Sequence, residues 1–113
     1  MSILAELATV LGKIPIPVET GVFSNVPPSE YCVLTPMTEE VAFRADNRPQ
    51  IDVPEVRISI FTKGNYMELK RQIRSALLAA DFTITQRQYV GHEDDTGYHH
   101  YAIDVQKYYS VEE

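Results

Sequence analysis

The sequence predicts an α+β domain, with two helices packed on one face of a mainly antiparallel β-sheet, and three observations carry that reading. Two segments, MSILAELATVLGK and NYMELKRQIRSALLAA, repeat apolar residues at helical spacing. Other segments alternate apolar and polar residues with period two, as a strand with one buried face does. The last two of these flank a polar, glycine-containing turn, which is a hairpin signal. The expected order is α-β-β-(β)-β-α-β-β, ending in that hairpin. At 113 residues the chain has the length of a single domain, 1–113, built around one two-layer core.

Ser2 can cap the first helix, whose Ile3, Leu4, Leu7, Val10 and Leu11 share a face, and Gly12 stands past its end as a stop. Pro15, Pro17, Pro27 and Pro28 then fix extended or turn backbone and remove amide donors, so they border strands more readily than they sit inside them. Residues 31–35 (YCVLT) are aromatic and β-branched enough for a strand, and 40–45 form another ahead of a turn at 46–49 (DNRP). Val56, Ile58 and Ile60 alternate with Arg57 and Ser59, an alternation that Phe61 breaks. Asn65 is a good N-cap, with Glu68 three residues on where the partner of a capping box belongs. Tyr66, Leu69, Ile73, Ala76, Leu77 and Ala80 form the core stripe of the second helix, while Lys70, Arg71 and Arg74 face outward. In the final hairpin, a loop at 94–97 would set Glu93 opposite Tyr98, His92 opposite His99, Val90 opposite Tyr101 and Arg87 opposite Asp104. That register joins opposite charges and collects Val90, Tyr101, Ile103 and Val105 on one face.

Charge and cysteine content narrow the function. Sixteen acidic against 10 basic side chains give a net charge of -6, which argues against a phosphate-backbone binder. Arg57, Lys63, Lys70, Arg71 and Arg74 come closest to a basic block, but three of them lie on one helix where a solvated polar face explains them. Cys32 is the single cysteine, so no internal disulfide forms; a buried packing role and an intracellular site of synthesis are expected. Glu6 interrupts the apolar N-terminus, which lacks a basic leader and a cleavage pattern, and no apolar run approaches a bilayer's span. A soluble protein is expected.

The stretch HEDDTGYHH, residues 92–100, holds three histidines and three carboxylates, the residue types of a zinc or acid/base site. In the expected register, however, His99 and His100 point to opposite faces, and only His92 and His99 are neighbours. A third ligand would have to come from Glu93 on the other face or from elsewhere; no HExxH or CxxC is present. DDTG is ordinary turn chemistry, and the histidines read as half-exposed strand residues. No GxSxG elbow or glycine-rich phosphate loop occurs either. Tyr108 and Tyr109, next to Lys107, read as packing or interface residues before base-stacking ones. Arg44 and Arg48 flank RADNRPQ, a segment open to two readings: an intersubunit contact to carboxylates, or a solvated loop.

The order helix, strands, RISIFTKGNY, helix, ADFTIT, hairpin resembles small proteins from the structural-gene clusters of tailed bacteriophages and prophages, of the tail terminator or tail completion type. The phrases ADNRPQIDVPEVRISIFTKGNY and DFTITQRQYVGHEDDTGYHHYAIDV carry the resemblance, which extends from the first helix to Tyr108 and Tyr109. It implies a virion structural protein, assembled in the bacterial host cytoplasm, that forms a homo-oligomeric ring, usually a hexamer, at the head-proximal end of the tail. Such a ring ends tube polymerisation and contacts the tail tube protein and the head completion protein. It implies no enzyme activity, no cofactor and no metal, no membrane, and no specific nucleic-acid binding, although DNA passes through the ring. The acidic surplus suits a channel along which DNA slides. Ring closure by a heterologous contact needs two different patches on one protomer. The candidates are the 36–55 segment, with Arg44, Asp46 and Arg48, and the hairpin tip, with Glu93, Asp94, Asp95 and His99. A loop of about twenty residues is unusual unless it does something or contains a strand. The alternatives are a head-tail connector stopper or other minor neck protein, a non-phage interaction module, and a small metal-dependent enzyme using His92, His99 and Glu93.

Overall fold

A computed structural model describes residues 2–14, 16–20, 29–45 and 48–110, with the side chains of all of these but 38–45, 48–50, 52 and 110. Helix α1 spans Ile3–Leu11 and is followed by β1 (Val18–Thr20), β2 (Glu30–Ala45) and β3 (Arg48–Thr62). Helix α2 (Tyr66–Ala79) leads into β4 (Thr83–His92), β5 (His99–Gln106) and the short β6 (Tyr109–Ser110). Both helix starts are fixed by the residues expected. The Ser2 hydroxyl accepts from the Ala5 amide at 3.1 Å, and the Asn65 carboxamide oxygen accepts from the Met67 and Glu68 amides. Each cap satisfies backbone donors that the first helical turn leaves open.

The strands form one sheet in the order β1-β2-β3-β5-β4, with β6 paired to the outer part of β3. All described pairings are antiparallel except β1 on β2. Chain order departs from sheet order because α2 carries the chain from β3 over one face to β4, and β5 then returns into the space between them. The result is the α+β architecture expected, with both helices contributing to one core.

Cross-strand rows explain how that core is filled. Cys32, Ile60 and Tyr101 lie opposite one another across β2, β3 and β5, and Leu34, Ile58 and Ile103 form the next row. Val56 and Val105, with Ile84 on β4, make a third. Onto these rows the helices pack Ile3, Leu7, Val10 and Leu11 from α1 and Leu69, Ile73 and Leu77 from α2. Each fully buried aliphatic side chain contributes about 1.5–3 kcal/mol by leaving water. Cys32 is one of them, and burial pushes its thiol up to about 12, so it packs as a small apolar residue.

The 36–55 segment differs from the expected long loop. Residues 31–35 and 40–45 belong to the single strand β2, and β3 already begins at Arg48, inside the expected turn; residues 46–47 lie outside the described residues. Pro36 and Pro54 both sit inside the ribbon, opposite Val56 and Glu39. Proline is tolerated where its missing amide faces away from the ladder. A register shift between Pro36 and Thr38 leaves Met37 unpaired, an extra residue that kinks β2 and is 42% exposed. A 16-residue strand is about 50 Å long at about 3.3 Å per residue. The longest dimension of the molecule is 54 Å, against 26 and 22 Å for the others. Pairing of β3 with β5 stops at Glu55, whereas the β2–β3 ribbon continues to Ala45 opposite Arg48, flanked only by β6 at Ile51 and Asp52.

One polar cluster ties the ends of the chain together. Glu6 of α1 accepts from the Lys107 ammonium and from the Tyr109 hydroxyl, and Lys107 also donates to the Ala80 carbonyl at the end of α2. Lys107 holds the Glu6 carboxyl below its ordinary range against the opposing effect of burial. Burial and the bond to Glu6 push the Tyr109 phenol up.

Candidate functional site

The hairpin tip is built as expected at its end and differently below it. The Glu93 amide donates to the Tyr98 carbonyl at 2.8 Å, the Gly97 amide donates to the Glu93 carbonyl at 2.7 Å, and His92 stands opposite His99. Gly97 takes a φ of 80°, which is why glycine is favoured there. Within two residues the register slips. Gly91 pairs with His100 but Tyr89, not Val90, pairs with Tyr101, so Val90 is a bulge and is 51% exposed. Val90 is therefore not on the core face with Tyr101, Ile103 and Val105. The shift also moves Gln86, not Arg87, opposite Asp104; Arg87 stands opposite Ile103.

Asp104 finds its cation on the other neighbouring strand. Arg57 of β3 donates through Nε and Nη2 to Oδ1 and Oδ2 at 2.9 and 3.1 Å, a two-pronged pair. The Asp104 side chain is 5% exposed and that of Arg57 40%. This pair lies on the sheet face away from the helices. On the same face Phe61 is not a break in the pattern: it stacks between Tyr31 at 4.8 Å and His100 at 4.3 Å in one row across β2, β3 and β5. Burial, helped by the charge of Arg57 and opposed by Glu93, lowers the pKa of His100, and its Nε2 has no hydrogen-bond partner among the described residues.

The other two histidines lie on the helix side. The His92 and His99 rings are 4.7 Å apart, His92 Nδ1 is 3.1 Å from Asp94 Oδ1, and His99 Nδ1 is 2.9 Å from the Tyr89 hydroxyl. Tyr66 of α2 stands over Tyr89 and His99, 5.1 Å from each, and Lys70 places its ammonium 5.0 Å above the Tyr101 ring. His99 and His100 thus face opposite sides of the sheet. Glu93 is held by the Thr96 hydroxyl, which donates to it at 3.2 Å, while Asp95 is exposed in the turn. Among the described residues no three His, Cys, Asp or Glu side chains come together as a metal site would require.

The second candidate patch is only partly in view. Arg44 stands opposite Pro49, and Arg48 opposite Ala45, at the far end of the ribbon, about as remote from the hairpin tip as the fold allows. Their side chains, and Asp46 altogether, lie outside the described residues. The structure therefore does not bring the two predicted patches together. Sequence reasoning missed Arg57, Phe61 and the α2–β4 flank; the alternation of Arg57, Ser59 and Phe61 on one face was the signal available for the first two. No family model and no curated protein matches the chain. Among the described residues no helix is long and apolar enough to cross a membrane.

Proposed function

We propose that the chain is a structural subunit of a tailed-phage or prophage particle, of the tail terminator type, that forms a ring at the head-proximal end of the tail. In that place it ends tube polymerisation and joins the tail to the head completion protein. The observation that carries the reading is the β2–β3 ribbon, whose outer part holds the resembling phrase ADNRPQIDVPEV and extends past the sheet. A two-stranded ribbon is marginal by itself in water, so one that projects from a domain gains by lying on another surface. In a homo-oligomer that surface is the next copy. Ring subunits also need separate donor and acceptor patches on one protomer.

Native mass spectrometry of the purified protein, alone and mixed with its tail tube protein, tests assembly. A closed oligomer, six copies above all, is the expected result; a monomer under both conditions overturns the reading. Deleting the gene should give tails of uncontrolled length. Normal tails on heads that leak DNA would instead support the connector stopper.

A further inference from the structure

The two lateral edges of the fold carry opposite chemistry. Along α2, Met67, Lys70, Arg71, Arg74 and Leu78 recur at three- and four-residue spacing and so share one flank. That flank overhangs β4, because Tyr66 and Lys70 at its margin touch the rings of Tyr89 and Tyr101. The strand below adds Arg87, Tyr89 and Val90, all exposed, and Thr83–His92 contains no acidic residue. Six large hydrophobic side chains are exposed among the described residues, and four of them, Met67, Leu78, Tyr89 and Val90, gather on this edge. A basic rim around an apolar strip on a chain of net charge -6 marks a contact surface.

The opposite edge is acidic. Glu19 lies on β1, Glu30 opens β2, and Glu39 and Glu40 follow along the same strand. On the far flank of α2, Glu68 and Gln72 line an open cleft of about 210 Å³ with Glu30, Asn65 and Leu69; Glu68 is paired there with Arg71 at 2.6 Å, and Glu30 accepts from the Thr62 hydroxyl. Met37, bulged out of β2, supplies an exposed apolar residue there. Each edge has unused capacity. β4 ends the sheet on one side, and beyond Leu34 no described strand pairs with β2 on the other. Bulges at Thr85 and Val90 interrupt β4, which disfavours simple strand addition and leaves side chains to make the contact.

We infer that these edges bind each other: the α2–β4 edge of one copy docks on the β1–β2 edge of the next. Lys70, Arg74 and Arg87 approach the carboxylates of that acidic edge, and the strip of Met67, Leu78, Tyr89 and Val90 covers the region of Met37. The charge complementarity between two edges of the same chain is what makes a second copy the occupant. The contact is heterologous, so its repetition closes a ring when the rotation from one copy to the next divides the full circle. This assignment rests on the ring reading and names its interface.

A charge-swap experiment followed by sedimentation velocity tests it. Arg74→Glu/Arg87→Glu cancels the charge of the basic edge, where Lys70 and Arg71 remain, and Glu40→Lys/Glu68→Lys nearly cancels that of the acidic edge, where Glu19, Glu30 and Glu39 remain. Circular dichroism melts first establish that each variant is folded. Each variant by itself should lose at least about tenfold in self-association relative to wild type, and an equimolar mixture should regain an alternating oligomer. Wild-type association should weaken as salt is raised, because the rim charges are screened over about 10 Å at 0.1 M salt. Tyr89→Ala, which alters no charge, should weaken association at every salt concentration. If wild type assembles and both variants assemble equally well, the ring uses other surfaces and the edge assignment fails while the ring reading stands. If only the arginine variant is impaired and mixing restores nothing, the contact is a two-fold β4-to-β4 one and the assignment fails too. A wild type that stays monomeric, alone and with tail tube protein, removes the ring and the interface together.

Discussion

Replacing Arg57 by alanine should destabilise the fold by about 2 kcal/mol, whereas Arg87→Ala should change stability by less than about 0.5 kcal/mol. The first figure follows from the geometry. Arg57 makes two charge-assisted bonds, at 2.9 and 3.1 Å, to a carboxylate whose side chain is only 5% exposed. Stranding a fully buried charge in this way costs about 3–5 kcal/mol. Arg57 itself is 40% exposed, so its removal lets water reach Asp104, and that screening brings the figure down by roughly half. Arg87 stands opposite Ile103 and is exposed, so its loss strands nothing. Urea denaturation at neutral pH gives both values. Adding Asp104→Leu to Arg57→Ala should recover part of the loss, since the double variant leaves no unpaired charge. Equal losses for Arg57→Ala and Arg87→Ala, or a cost below about 0.5 kcal/mol for the former, would refute the pairing of Asp104 with Arg57.

Ile73→Ala, at a site with no exposed surface, should cost about 2–5 kcal/mol in chemical denaturation, through lost transfer energy and the cavity left behind. Gly97→Ala meets open space but must adopt a φ of 80°, so a loss of about 1 kcal/mol is expected, with the hairpin intact by NMR. His100 is the acid-sensitive point of the open face. Its folded pKa lies below its ordinary 6.5, so the unfolded chain takes up the proton first; the associated stability is complete above about pH 6.5 and is lost as pH falls toward the folded pKa. His100→Phe keeps a ring against Phe61 and cannot titrate, so its stability should fall less than that of wild type over this range, measured by denaturant titrations at several pH values. Parallel curves would disprove the assignment.

The parts of the fold written in local chemistry were readable. Ser2 and Asn65 cap their helices because a side chain beside a helix start can reach only the first amides, and the hairpin end follows from the polar turn and Gly97. The bulges at Thr85 and Val90 were not, because an extra strand residue carries no composition of its own and is defined by what lies opposite. One slip at Val90 was enough to misassign the partner of Asp104, which lies 47 residues away on β3. The prolines at 36, 49 and 54 disguised the ribbon as loop, since whether a proline breaks a ladder depends on which way its missing amide points. At the candidate site, the opposed faces of His99 and His100 followed from strand alternation alone. The basic flank of α2 read as a solvated surface because its significance depends on β4 lying beneath it.

The Glu6, Lys107 and Tyr109 cluster bears on the timing of folding. It links side chains 101 and 103 residues apart, and contacts so distant along a chain are slow to form because a long loop must be closed first. Helix α1 has to wait, since a short helix gains most of its stability from the surface on which it docks. During that wait Ile3, Leu7 and Leu11 have no finished core to enter, and closure comes as one late step once Lys107 and Tyr109 are available. Such a clasp makes completion of the domain depend on a contact between residues that lie far apart along the chain.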